Sequence, residues 1–153
     1  MAMLNFLVPT DGSDLSLDAV RHVIRLSQEG LALQVTLAHV REPVHLYEVV
    51  LAPDVEVLEN ASQAAAEHAL VPAAELLTAA GLSFTQEIAL GDAASELPEM
   101  ALECGCDAIV ISTGGAGLLS NGRIGRVADA VLHHAEVPVT VVRRLEGEGA
   151  QGD

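Results

Sequence analysis

The stretch Ser112-Thr-Gly-Gly-Ala-Gly-Leu-Leu-Ser-Asn-Gly-Arg-Ile-Gly-Arg126 concentrates groups that could do chemistry, and it holds five of the thirteen glycines. Glycine lets backbone N–H groups approach a ligand and permits positive φ. The stretch leaves a short apolar run, Ala108–Ser112, and enters a helical pattern that continues through His134. A loop between a buried strand and a helix N-terminus can hold a phosphate through backbone N–H groups. The competing reading is a surface loop whose glycines only make it flexible; its place after the fourth strand favours the ligand. Arg123 and Arg126 flank Gly125. Turned inward, such a side chain pairs bidentately with phosphate; turned outward, it is a solvated surface charge. A second candidate is Pro9-Thr10-Asp11-Gly12-Ser13 after the first apolar run. Its aspartate can accept hydrogen bonds from a ribose or an amine. Alternatively, Asp11 or Ser13 only caps the next helix and Gly12 only makes the turn.

The elements that must position these groups can be read from periodicity. Leu4–Val8 is a first strand, stopped by Pro9-Thr10-Asp11-Gly12. Helical spacing follows over Leu15–Leu26, with Ser13 or Asp14 as cap and Gly30 as stop. Leu33–Val40 is a second strand, with His39 inside it as a packed residue, and Val44–Pro53 is an irregular excursion. A long helical stretch covers Val55–Ala80, which Pro72 should kink or split. Leu82–Leu90 is a third strand, broken by Gly91-Asp92 before a helix over Ala93–Cys104. The fourth strand is Ala108–Ser112 and the last is Val137–Val142. Strands alternating with crossover helices imply a doubly wound α/β domain: a five-stranded parallel sheet with helices on both faces, over residues 1–145. In such sheets ligands bind outside the carboxyl ends of the strands, where strand order reverses. Both candidate segments lie at such ends. Residues 146–153 are acidic and Gly-rich, the composition of a disordered tail.

Composition excludes several functions. Half of the residues are apolar, yet there are only two Phe, one Tyr and no Trp, so the core is aliphatic. That palette suits strands buried on both faces. A formal charge of −15 repels a phosphate backbone, and base-stacking platforms are missing, so no nucleic-acid partner is expected. All seven basic residues are arginines. Without lysine there is no P-loop lysine, no Schiff base and no lysine general base. Cys104 and Cys106 are too close for a disulfide framework and too few for zinc; they read as the close of a helix and the start of a strand. The six histidines show no metal-binding spacing. No run reaches the ~20 apolar residues of a membrane helix, and a signal peptide is not indicated. A cytoplasmic protein without membrane insertion is expected.

Taken together, Leu-Val-Pro-Thr-Asp-Gly-Ser after strand one, Leu-Ala-His-Val at strand two, Cys-Asp-Ala-Ile-Val-Ile-Ser at strand four and Val-Ala-Asp-Ala-Val-Leu-His-His-Ala-Glu-Val-Pro-Val-Thr-Val-Val at the end resemble the universal stress protein family from about Leu4 to Arg144. The resemblance implies a Rossmann-like five-stranded sheet and a homodimer through the last strand. It also implies an adenine nucleotide, ATP or AMP with Mg²⁺, at the strand ends. Asp11 would contact ribose or base, Val40 would hold the adenine edge through its backbone, and Pro9 and Thr10 would line that pocket. The family's nucleotide-binding members carry Gly-x-x-Gly, nine residues, then Gly-Ser or Gly-Thr. Gly115 and Gly125 match; Ser112 replaces the first glycine and Arg126 the terminal hydroxyl residue. Ser112 adds a Cβ where backbone must approach closely, although its hydroxyl can donate. Three functions follow: a nucleotide-binding regulatory protein of the stress response, a dimeric member that works through protein contacts alone, or a slow nucleotide hydrolase. The last lacks a general base and paired carboxylates near the loop. Independently of family, Val137–Val142 would be a β-branched edge that invites pairing with its copy, unless Pro138 and Arg143-Arg144 protect it.

Overall fold

The computed structural model describes residues 3–41, 55–114 and 125–144. The apolar runs form five parallel strands, β1 (Leu4–Pro9), β2 (Leu33–Arg41), β3 (Phe84–Leu90), β4 (Ala108–Gly114) and β5 (Val139–Arg144), in the order β3-β2-β1-β4-β5. Between them run α1 (Leu17–Gln28), α2 (Val55–Ala79), α3 (Ala93–Glu103) and α4 (Arg126–His134). Successive strand residues point to opposite faces, and here both faces are covered. Phe6 and Val8 of β1 and Val110 of β4 pack with Val20, Val23, Leu70 and Leu77 of α1 and α2. Leu7, Ile109 and Ile111 pack on the other face with Leu97, Met100 and Val131 of α3 and α4. This two-sided burial explains the aliphatic palette. The register runs from Leu4 opposite Leu33 to Pro9 opposite Ala38, and from Ile109 opposite Val139 to Gly114 opposite Arg144.

The sequence expectations differ from the structure in a few places, each with a physical reason. α1 begins at Leu17, and neither Ser13 nor Asp14 occupies its N-cap. That position is Ser16, whose backbone is helical and whose side chain makes no capping bond. The segment between Asp14 and α1 is instead a tight turn, with Leu17 N–H on the Asp14 carbonyl and Asp18 N–H on that of Leu15. Pro72 does not split α2, which is continuous across it; buried Leu70, Ala73 and Leu77 pack the helix onto the sheet on both sides of the lost hydrogen bond. β4 extends to Gly114, so Thr113 is a strand residue. β5 starts at Val139, leaving Val137 and Pro138 ahead of it, and ends at Arg144. The edge available for pairing is therefore Val139–Arg144. Cys104 ends α3 and Cys106 joins the core beside α3 and α4, as small buried hydrophobes do. Val44–Pro53 and the acidic tail lie outside the described residues.

Candidate functional site

Strand order reverses between β1 and β4: the chain leaves β1 toward β2 and β3 and returns on the other side for β4 and β5. Connections that diverge this way leave a crevice at the carboxyl ends. A cleft of about 430 Å³ opens there, within the usual range of small-molecule sites. The end of β1 contributes Pro9, Thr10 and Asp11; β2 contributes His39 and Val40; β4 contributes Ile111, Ser112 and Thr113; and the start of α4 contributes Gly125 and Arg126. The structure thus brings Pro9, Thr10, Asp11, Val40, Ser112, Gly125 and Arg126 to one cleft. Gly115 and Arg123 lie outside the described residues.

The turn after β1 is held by its own residues. Thr10 N–H continues the ladder to the Ala38 carbonyl at 2.9 Å. Gly12 N–H donates to Thr10 Oγ1 at 3.3 Å and Ser13 N–H to Asp11 Oδ1 at 2.9 Å. Ser16 N–H donates to Ser13 Oγ, and the Ser16 hydroxyl donates to the Ser13 carbonyl at 2.7 Å. Gly12 is needed here twice over. Its φ is +86°, and a Cβ would stand 3.2 Å from Ala69 Cα of α2. Partial burial pushes the Asp11 carboxyl up, but hydrogen bonds from Ser13, led by its hydroxyl and then its N–H, outweigh it and leave the group below the usual carboxylate range. Asp11 is therefore an ionised acceptor at the cleft at neutral pH.

His39 is half-buried and lines the cleft, rather than only filling the core. Its Nδ1 lies 2.8 Å from the Thr10 carbonyl. A carbonyl only accepts, so Nδ1 carries the hydrogen and ties the end of β2 to the turn after β1.

The end of β4 is held from a distance. Val110 faces α1 and α2 while Ile109 and Ile111 face α3 and α4, so alternation sends Ser112 to the α1 side and Thr113 to the α4 side. Ser112 Oγ accepts from Ala19 N–H at 2.7 Å and donates to the Ser16 carbonyl at 3.2 Å. Thr113 Oγ1 accepts from Gly125 N–H at 2.6 Å, and both residues are buried. Arg126 is exposed at the cleft mouth and has no ion-pair partner among the described residues. Beyond the cleft, Arg144 at the end of β5 grips α1: Nε and Nη2 reach the two Asp18 oxygens at 2.7 and 2.8 Å, and Nη2 also reaches Asp14 at 2.9 Å. Hydrogen bonds from Arg21 and then Arg144 hold the Asp14 carboxyl below the usual range, and Arg144 itself is held firmly protonated by Asp18 and Asp14.

A family model described as the universal stress protein family matches residues 3–143. The chain belongs to the universal stress protein family. It is 29% identical over 150 residues to universal stress protein MJ0531 of Methanocaldococcus jannaschii, covering 93% of this chain and 83% of that one. Among solved structures, the hypothetical protein MJ0577, whose biochemical function was assigned from its structure, superposes with a TM-score of 0.76 at 25% identity, over 95% of this chain and 99% of its own. A universal stress protein family protein of Arabidopsis thaliana, with AMP bound, superposes with a TM-score of 0.68 at 18% identity, over 93% of this chain and 92% of its own.

For a universal stress protein, this one places its two departures differently. Arg126 stands at the cleft mouth, whereas the Ser112 hydroxyl is committed to α1 and does not serve as a donor in the cleft. His39 was missed as a site residue because nothing local distinguishes a histidine that closes the cleft from one packed in a strand. The readable signal was its place at the carboxyl end of β2, next to Val40. Both thiols are disfavoured as thiolates: burial first, then Glu87 and Glu103, push Cys104 up, and burial, with Cys104 and Asp107, pushes Cys106 up despite a hydrogen bond from Thr36. Among the described residues no three His, Cys, Asp or Glu cluster as a metal site, and no helix is long and apolar enough to cross a membrane.

Proposed function

We propose that this universal stress protein binds an adenine nucleotide, ATP or AMP, in the cleft between β1 and β4 and acts as a regulatory binding module of the stress response in the cytoplasm. The observation that carries this reading is the convergence of Pro9, Thr10, Asp11, Val40, Gly125 and Arg126 on one cleft of about 430 Å³ at the switch point of the sheet. Each part has a task. Asp11 accepts hydrogen bonds from ribose hydroxyls, the Val40 backbone meets the adenine edge, and the Arg126 guanidinium neutralises phosphate. The AMP-bound relative from Arabidopsis thaliana supports the choice of adenine nucleotide. Asp11 is a single carboxylate, so Mg²⁺ would come in on the nucleotide phosphates and not in a cage made by the protein. Homodimer formation through β5 completes the reading.

Calorimetric titration of the full chain with ATP and AMP, with Mg²⁺ present, tests it, together with adenine nucleotide released on denaturing the purified protein. Binding should weaken about 10- to 100-fold in Asp11→Ala, the effect of losing hydrogen bonds to a charged group. No released nucleotide and no heat at millimolar ligand would sink the proposal. A second reading, a member that works through protein contacts alone, is favoured by one observation. Gly125 N–H, in the phosphate-loop position, is already committed to Thr113.

A further inference from the structure

Ser112 stands where the family's nucleotide-binding members carry glycine, and from the sequence it is a lesion in the phosphate loop. Its surroundings assign it another task. Strand alternation sends its side chain to the α1 face, away from α4. Its hydroxyl is occupied in both senses, accepting from Ala19 N–H and donating to the Ser16 carbonyl. α1 needs this. Its N-cap residue, Ser16, makes no capping bond of its own, and Ala19 is the third residue of the helix, whose N–H a cap side chain ordinarily takes. Ala19 is fully buried, so water cannot stand in.

The same hydroxyl reaches the cleft wall. Ser16, which receives its proton, also lies 2.9 Å from Thr10 Oγ1 through its own hydroxyl and binds Ser13 through both hydroxyl and N–H. Ser13 in turn holds the Asp11 carboxylate. A chain of hydrogen bonds therefore runs from β4 through Ser112, Ser16 and Ser13 to Asp11, and every described link in it is made.

We infer that Ser112 is a positioning residue: it caps α1 from the neighbouring strand and so fixes the wall that carries Asp11, without holding phosphate. The inference deepens, and rests on, the reading of the cleft as a nucleotide site, because it assigns the effect of Ser112 to the nucleoside half of the ligand. Adenosine and AMP must then respond alike to its loss.

Three variants of the full chain test this. Ser112→Ala removes the hydroxyl and keeps the Cβ; Ser112→Gly removes both; Ser112→Thr keeps the hydroxyl. Ala and Gly should lose amide-exchange protection at Ala19, Ser13 and Ser16 and lower Tm by roughly 2–8 °C. They should weaken adenosine and AMP by one common factor, roughly three- to tenfold, as the ordered wall becomes less populated. Ser112→Thr should restore the protection and the affinity. Unchanged protection at Ala19 would overturn the inference, and so would a Ser112→Gly protein that tightens AMP while leaving adenosine untouched. If the wild-type chain binds neither ligand, the nucleotide reading fails, and exchange at Ala19, Ser13 and Ser16 decides the positioning role alone.

Discussion

The two walls of the cleft are built on opposite plans. After β1, Thr10, Asp11, Ser13 and Ser16 satisfy one another within a few residues of chain. At the end of β4, Ser112 reaches Ala19 across 93 positions and Thr113 reaches Gly125 across 12. The turn after β1 closes most of its hydrogen bonds on itself and is tied to β4 at one point, where the Ser112 hydroxyl meets the Ser16 carbonyl. A strand end that caps one helix and anchors another transmits what happens to either. The β1 side of the cleft is thus specified mostly by adjacent residues, with one tie to β4 through Ser112, while the β4 side is part of the tertiary packing.

Substitutions can break that contrast. The largest effect is expected at Thr113. Thr113→Val keeps the shape and removes the acceptor for a buried N–H, which costs about 1–3 kcal/mol. Urea midpoints should fall accordingly, while exchange at Gly12 and Ser13 stays unchanged. A loss below roughly 0.5 kcal/mol would show that Thr113 does not anchor Gly125 in solution. A smaller effect is expected from Arg144→Gln. Asp18 is largely covered, and its two-point contact with Arg144 should contribute about 1–2 kcal/mol. This variant also frees the end of β5, so a drop in stability without any change in amide exchange along Leu17–Val20 would separate the strand end from α1.

The same contrast decides what could be read in advance. The alternation of aliphatic runs with helical spacing was enough for the architecture, because both faces of every central strand are buried and leave their mark on composition. The turn after β1 was legible for a similar reason: its chemistry lies in adjacent letters, Pro9-Thr10-Asp11-Gly12-Ser13. Only its assignment as a cap failed, since the cap of α1 comes from β4. Ser112 was legible as a departure from a pattern but not as a cap. That needed two tertiary facts, the face to which β4 turns its even-numbered residues and the helix on that face. Arg144 is the same case. Val142 packs against the α1 and α2 side, and alternation then sends Arg144 toward α1, but only the sheet order brings β5 within reach. Pro72 does not split α2 for the converse reason: packing on both sides carries the helix across the lost hydrogen bond.

The smallest effect separates local from distant contacts by titration. Asp11 and Asp14 are both held below the usual carboxylate range, Asp11 by the serines of its own turn and Asp14 by Arg21 and the distant Arg144. For each, the folded state binds a proton less readily than the unfolded chain. Stability therefore rises with pH through this window. It is fully present above the ordinary aspartate value and is lost as pH falls through the depressed folded values. Urea midpoints at about pH 6 and about pH 3 should differ most in the wild-type chain. Arg144→Gln should shrink the difference by releasing part of the hold on Asp14, and Asp11→Asn should remove the share that belongs to the turn. The Arg144 share should also fade in high salt, because Asp14 is exposed and its pairs are screened, whereas the Asp11 share rests on hydrogen bonds within the turn and should persist. Equal acid sensitivity in wild type and Arg144→Gln would mean that the turn and Arg21 set it, and that the end of β5 does not reach the first turn of α1 in solution.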